Sequence, residues 1–493
     1  MAASMSIRAA CRLNTIFRHR IHSQLGCQKI RTLLSSAYSC DELWAKRSEN
    51  PILSAINANE FIVKLHEKYE KEKLISAIDI DILANNIENV DFTEIDFTEN
   101  LFKRFRSCQG ALDVLDSTPY ALVRGYINMK QTDRFLDMLQ DKFGYGIFLD
   151  HYSGSLLMDY FIKQENYYDA AQVAYEFMLQ EDYTNQTVKL LSLYSSYKHL
   201  INPLPEVVDE ESGENTEQKS DETIYMRVPY VRNPSFDDHF DLVEDRHVLG
   251  KTLHSIGNHG NDDIIHRSCR LIGLGLWEKI SDGFKILREY ISSNMKHCIT
   301  QDALDRFKTA LDEIEAQPVD PELTSNRGIQ VKLTPEEKTK YQEEFEEIRQ
   351  SLQKANLLST ENLDELIETL VKSELPKLKA HDITAQEQLF ARWEITRQEK
   401  LNEQLENYRY NQRKKELIKQ MLEIKEKEEL LNYYERIHDI QLAASKAPKI
   451  EVEEKHDEIE EDVKKYLKIP RKRKVYEMPR SIFEVVHGKQ EEY

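Results

Sequence analysis

Four side chains able to ligate a transition metal, His254, His259, His266 and Cys269, surround the stretch GNHGNDD. They lack the paired close spacings of zinc modules, and Asn, Gly and Asp between them suit a turn between helices, so no metal centre is expected. Gly273 and Gly275 in LIGLGLW do not complete a dinucleotide-binding glycine pattern and fall within a helical stretch. No P-loop, nucleophile elbow or HExxH is present. The six cysteines are scattered without a CxxC pair and read as free thiols in a reducing compartment. Neither catalysis nor a cofactor nor a small-molecule substrate is expected.

The remaining chemistry is phosphate recognition. A net charge of −20 argues against a protein that coats nucleic acid unaided, because phosphate binding rests on clustered Lys and Arg that release counterions. Contact must therefore come from local patches. Residues 246–296 hold eight Lys or Arg against five acids, which singles out Lys251, Arg267, Arg270, Lys279, Lys285 and Arg288. Arg413, Lys414 and Lys415 lie in YRYNQRKKE, where aromatics and cations alternate and either RNA or a solvated helix face fits. Arg471, Lys472, Arg473 and Lys474 form a basic cluster after an acidic run, read as a phosphate anchor or a plain basic tail.

These patches need a scaffold, and the scaffold is helical. Charged residues make up 31% of the 493 residues, mean hydropathy is −0.62, and 15 Gly and 13 Pro leave few obligatory turns. No apolar run reaches the roughly 20 residues that span a bilayer, so no membrane association is expected. Shifting the chain by thirty-five residues lays TPYALVRGYINMKQTDRFLDMLQDKF onto the stretch around LLMDYFIKQENYYDAAQVAYEFML. Leu122 then meets Leu157, Tyr126 meets Phe161, Ile127 meets Ile162, Met138 meets Val173 and Phe143 meets Met178. A repeat of this period with two helical faces per unit marks an α-solenoid, whose units bury their apolar faces only by stacking. Four to six helical pairs are expected over 41–316, in an all-α fold of pentatricopeptide-like pairs followed by a long C-terminal helical or coiled-coil region.

Composition sets the boundaries. Residues 1–37 carry basic residues and serines and no acid, the pattern of a mitochondrial transit peptide; losing its six basic residues leaves a charge of −26. The solenoid runs over 41–200 and 236–316, split by an acidic, turn-rich insertion at 203–235. A linker at 317–334 ends in Thr334, Pro335 and Glu337, a capping box with Pro at the first helical position. Across 335–447 the stripe Tyr341, Phe345, Ile348, Leu352, Ala355 has coiled-coil spacing. A shorter helix carrying Leu363, Leu366, Ile367, Leu370 and Val371 ends near Pro376. A helix of about 60 residues starts at Thr384 with a seam through Leu389, Trp393, Leu401, Leu405, Tyr408, Leu417, Met421, Ile424 and Leu431. Gln412 and Glu428 interrupt that seam, so packing on the chain itself or on partners is favoured over a self-dimer. A charged tail occupies 448–493.

The stretches LLSSAY, YGIF with LLMDYFIKQENYYDA, LLSLY and EQLFARWEITRQEK resemble the family of animal mitochondrial small-subunit ribosomal protein twenty-seven, a pentatricopeptide-domain family, over most of residues 30–440. In such repeats the first helix of each pair lines a groove for single-stranded RNA. The turn residue, usually Gly, is Glu165 here, and Ser155 stands where the family often places a base-reading Asn. The resemblance implies a non-enzymatic component of the mitochondrial small ribosomal subunit in the matrix, associated with small-subunit rRNA and neighbouring ribosomal proteins. Two other readings use the same architecture: a free mitochondrial RNA-binding regulator of transcripts, and a protein-only helical adaptor.

Overall fold

The computed structural model describes residues 33–203, 242, 244–293, 297–314, 316 and 333–446. The acidic insertion, nearly all of the linker before Thr334, the basic cluster at 471–474 and most of the stretch expected to be a transit peptide lie outside the described residues. Two units are distinguished, one ending at Ile395 and one beginning at Thr396.

The first unit is an all-α array. Short helices α1 (Asp41–Lys46) and α2 (Pro51–Ser54) precede α3 (Ala58–Glu72), α4 (Ala77–Asn85) and α5 (Ile95–Arg106). The repeat proper follows as α6 (Ser117–Asn128) with α7 (Thr132–Gln140), then α8 (His151–Lys163) with α9 (Tyr167–Gln180), and α10 (Gln186–Ile201) with α11 (Asp245–Asn258). Next come α12 (Ile264–Leu276) with α13 (Ile280–Ser293), and α14 (Gln301–Glu313) with α15 (Pro335–Lys354). First helices stack on first helices, α4 on α6, α6 on α8, α8 on α10 and α12 on α14, while α9 packs on α11 and α13 on α15. The 35-residue period gives this geometry because the aligned pairs Leu122 and Leu157, Tyr126 and Phe161, and Met138 and Val173 all fall in the core.

The turn is built the same way in the pairs α6–α7, α8–α9 and α12–α13. Gln131 N–H reaches the Tyr126 carbonyl, Asn166 N–H reaches Phe161 and Lys279 N–H reaches Leu274, each at 3.0 Å. This Schellman closure forces the preceding residue into the left-handed region. That residue is Lys130, Glu165 or Glu278, with φ of 56°, 59° and 60°. The period thus repeats a backbone geometry that glycine would adopt with less strain. Glycine is needed instead where α11 crosses α12. A Cβ at Gly250 would lie 2.8 Å from the Gly273 carbonyl, and one at Gly273 only 2.4 Å from His254 N.

Three expectations are corrected. Phe143 is 99% exposed rather than core, because α7 ends at Gln140 and the chain turns over the Asp141 carboxylate, which accepts from Gly144 N–H at 2.9 Å. The stripe on α15 is not a coiled-coil seam: Phe345 stacks on Phe307 of α14, Tyr341 meets Phe284 of α13, and Ala355 is exposed. The helix expected to end near Pro376 and the one expected to start at Thr384 are a single helix, α16 (Leu363–Glu435), followed by α17 (Ile437–Lys446). Pro376 lies inside it, and Thr384 gives its hydroxyl to the Ala380 carbonyl at 3.0 Å instead of capping. Continuity is held by packing, since Leu363, Ile367, Val371 and Leu375 are buried before Pro376, and Asp382, Gln386 and Trp393 are buried after it. A two-residue parallel ladder, Ile299–Thr300 with Leu358–Ser359, ties the α13–α14 connection to the entry of α16.

Candidate nucleic-acid interface

In a pentatricopeptide array the surface that would read bases is the face of the first helices, here α6, α8 and α10. That face is covered. The part of α16 up to Ile395 and the segment before α1 lie on it. Lys198 at the end of α10 pairs with Asp364 at 2.6 Å, and Thr187 at its start donates to Asp382 at 2.5 Å. The Tyr38 hydroxyl donates to the same carboxylate at 3.3 Å, and burial together with that neighbour raises the phenol's pKa strongly. Gln386 donates to the Tyr38 carbonyl at 3.0 Å and accepts from Tyr120 of α6 at 3.4 Å. Farther along, Trp44, Tyr120, Phe390 and Trp393 form an aromatic cluster with centroids 4.8 to 5.6 Å apart. The Leu34 amide donates to Asp159 of α8 at 3.1 Å.

Ser155, which the resemblance aligns with a base-reading Asn, has no exposed surface and lies beside the Tyr38 hydroxyl. A nucleotide reaches it only if the chain's own residues leave. The 344-residue separation between Tyr38 and Asp382 explains why sequence reasoning missed this site. One signal was available: Asp382 and Gln386, four residues apart, interrupt the apolar face that continues through Leu389 and Trp393, and polar groups on a buried face find partners.

The basic candidates fall into two sets. Arg267 is buried and donates to the Cys298 carbonyl at 2.9 Å, with Asp262 at 3.3 Å. Arg270 donates to the Gly257 carbonyl at 3.0 Å, joining α12 to α11. Lys251 is buried, its ammonium 4.7 Å from the Trp277 ring, and Lys279 lies 5.1 Å from the same ring. Lys285 and Arg288 are exposed on α13, pairing with Asp282 at 2.7 Å and with Glu344. In the second unit Arg413 and Lys415 are exposed and Lys414 half-buried; Arg413 pairs with Glu416 at 3.2 Å, and Tyr408 and Tyr410 are exposed beside them.

The histidines around GNHGNDD serve the fold. His254 packs on Trp277 at 5.8 Å, and burial, with help from Arg270 and Lys251, lowers its pKa to about 4. His259 turns its Nδ1 to the Ser255 carbonyl at 2.9 Å. Burial lowers the His266 pKa and raises that of the Cys269 thiol to about 12. Among the described residues no group of three His, Cys, Asp or Glu is placed to hold a metal ion, and no helix is long and apolar enough to cross a membrane.

The family model described as mitochondrial 28S ribosomal protein S27 matches residues 1–424 of the 493. The match takes in the whole repeat array, the segment before α1 and most of α16. The chain therefore belongs to the mitochondrial 28S ribosomal protein S27 family, proteins of the small subunit of the mitochondrial ribosome.

Proposed function

We propose that the protein is a structural, non-enzymatic component of the small ribosomal subunit in the mitochondrial matrix, one whose array holds neighbours together and meets rRNA with outward cations. The observation that carries this is the covered first-helix face: an array whose base-reading surface is filled by its own helix supports scaffolding over threading of a message. The same observation weighs against a free RNA-binding regulator of transcripts. Of the basic candidates, Lys285, Arg288, Arg413 and Lys415 are exposed and Lys279 and Lys414 half-buried, which leaves these six accessible to phosphate, and Arg471, Lys472, Arg473 and Lys474 are assigned the same role from their charge. Lys251, Arg267 and Arg270 are engaged inside the fold.

Sedimentation of the endogenous protein from mitochondrial lysate tests the proposal. Migration with small-subunit markers in EDTA, dispersed by ribonuclease, is the expected result. Particles that keep the protein after ribonuclease would support the protein-only adaptor, and a protein that stays at the top of the untreated gradient would end the ribosomal reading. For the rRNA contact itself, changing Arg413, Lys414 and Lys415 together to Glu should reduce the salt dependence of binding to a small-subunit rRNA fragment. Three lost phosphate contacts on single-stranded RNA lower the log–log slope by about 2; an unchanged slope removes these residues from the interface.

A further inference from the structure

The C-terminal end of α5 gathers two loops that carry exposed apolar side chains. One is the α5–α6 connection, with Leu112 81% exposed and Val114 also exposed. It is pinned beside the end of α3: Cys108 Sγ is 3.7 Å from the Lys73 carbonyl, and Gly110 sits against the Ile75 carbonyl, which brings exposed Leu74 to the same place. The other is the α7–α8 connection, with Phe143 99% exposed and Phe148 half exposed. It is pinned by Arg106, the last residue of α5, whose side chain lies along Gly146. A Cβ at 146 would approach the guanidinium to 2.6 Å, and Gly146 adopts φ +65°. Leu74, Leu112, Val114, Phe143 and Phe148 thus share one end of the first unit, with Arg106 between the two loops.

The neighbouring cations are paired: Lys103 with Asp141, Arg104 with Glu70, Lys73 with Glu70 and Lys142 with Glu176. Arg106 is exposed, and no described carboxylate pairs with it. Contiguous exposed apolar groups mark protein docking sites, and aromatic side chains with an arginine are the usual energetic centres of such sites. Five apolar side chains around one cation suit a protein better than a nucleic acid, which would require several cations left free for phosphates.

We infer that this end of α5 docks a neighbouring protein through an apolar segment that carries a carboxylate for Arg106. The inference rests on the ribosomal reading above, because the neighbour is a component of the same particle. The test replaces Phe143 with photoreactive benzoylphenylalanine in the full chain, expressed in cells depleted of the native protein, and irradiates gradient-purified small subunits. The expected product is a crosslink to a ribosomal protein that resists ribonuclease and is lost on proteolysis, its yield cut about fivefold or more by Arg106→Glu, a loss of about 1 kcal/mol in a charged contact. A ribonuclease-sensitive crosslink would assign the surface to rRNA and overturn the inference, as would particles that contain the protein but yield no crosslink, or a yield indifferent to Arg106→Glu. If the substituted and native chains alike fail to enter the particles, the ribosomal reading fails and this inference falls with it.

Discussion

The two stretches of α16 on either side of Ile395 share a helical period and almost nothing else. Before it, Leu363, Ile367, Val371, Leu375 and Trp393 are buried, and the polar interruptions Asp382 and Gln386 are matched by Tyr38, Thr187 and Tyr120. After it, Leu405, Tyr408, Leu417, Met421, Ile424 and Leu431 are all exposed, and Lys400–Glu403 and Arg413–Glu416 are ion pairs one turn apart. Such pairs add only about 0.2 to 0.5 kcal/mol each to a helix. An apolar stripe therefore shows which face of a helix is sticky, and only the chemistry of its interruptions shows whether the chain itself supplies the cover.

The sharpest way to break this comparison is Trp393→Ala. It removes a side chain that is 8% exposed and touches Tyr120 and Phe390, and it should lower the unfolding free energy of the first unit by roughly 3 kcal/mol. Urea denaturation followed by circular dichroism reads this, and a loss below about 1 kcal/mol would mean that α16 is not seated on the array.

Asp382→Ala should cost about 2 kcal/mol, because the hydroxyls of Tyr38 and Thr187 lose a buried acceptor. Asp382→Asn keeps an acceptor oxygen and should recover part of that loss. Equal losses for the two variants would mean that charge, not hydrogen bonding, fastens the helix.

Pro376→Ala has the opposite sign and a smaller size. In a continuous helix it restores a bond to the carbonyl of Lys372 and should stabilise by about 1 kcal/mol or somewhat more. If the chain broke there, as the sequence reading had it, the change would be neutral or unfavourable.

How much could be read in advance follows from the range of the interactions involved. The period, the stacked first helices and the capping box at Thr334 were legible because each rests on residues three to thirty-five apart. The box is formed as expected, with Glu337 N–H donating to Thr334 Oγ1 at 3.2 Å and Thr334 N–H to Glu337 at 3.1 Å. Thr384 and Glu387 show the same spacing and form no cap, because a helix already running through Pro376 leaves no free N–H groups there. The candidate site was less legible than the fold. Arg267 and Lys279 are the same kind of residue in a sequence count, yet one is buried on the Cys298 carbonyl and the other reaches the surface over Trp277. Arg267 stands on the face of α12 turned to Cys298, whereas Lys279 closes the turn between α12 and α13, and net charge carries no trace of that difference.

The smallest expected effect sharpens the comparison most. Ile424→Ala and Leu431→Ala, changes as drastic in composition as a core truncation, should move the stability of the isolated protein by no more than about 0.5 kcal/mol, since both side chains are already in water. The same pair of substitutions introduced into assembling particles should be felt only if a neighbour covers this face. Urea midpoints of the purified variants therefore need to be read beside their recovery in gradient-purified small subunits. Unchanged midpoints with reduced recovery would show a stripe reserved for a partner, whereas a loss of several kcal/mol in the isolated chain would mean that the stripe beyond Ile395 is covered within the molecule, and the contrast between the two stretches of α16 would not hold.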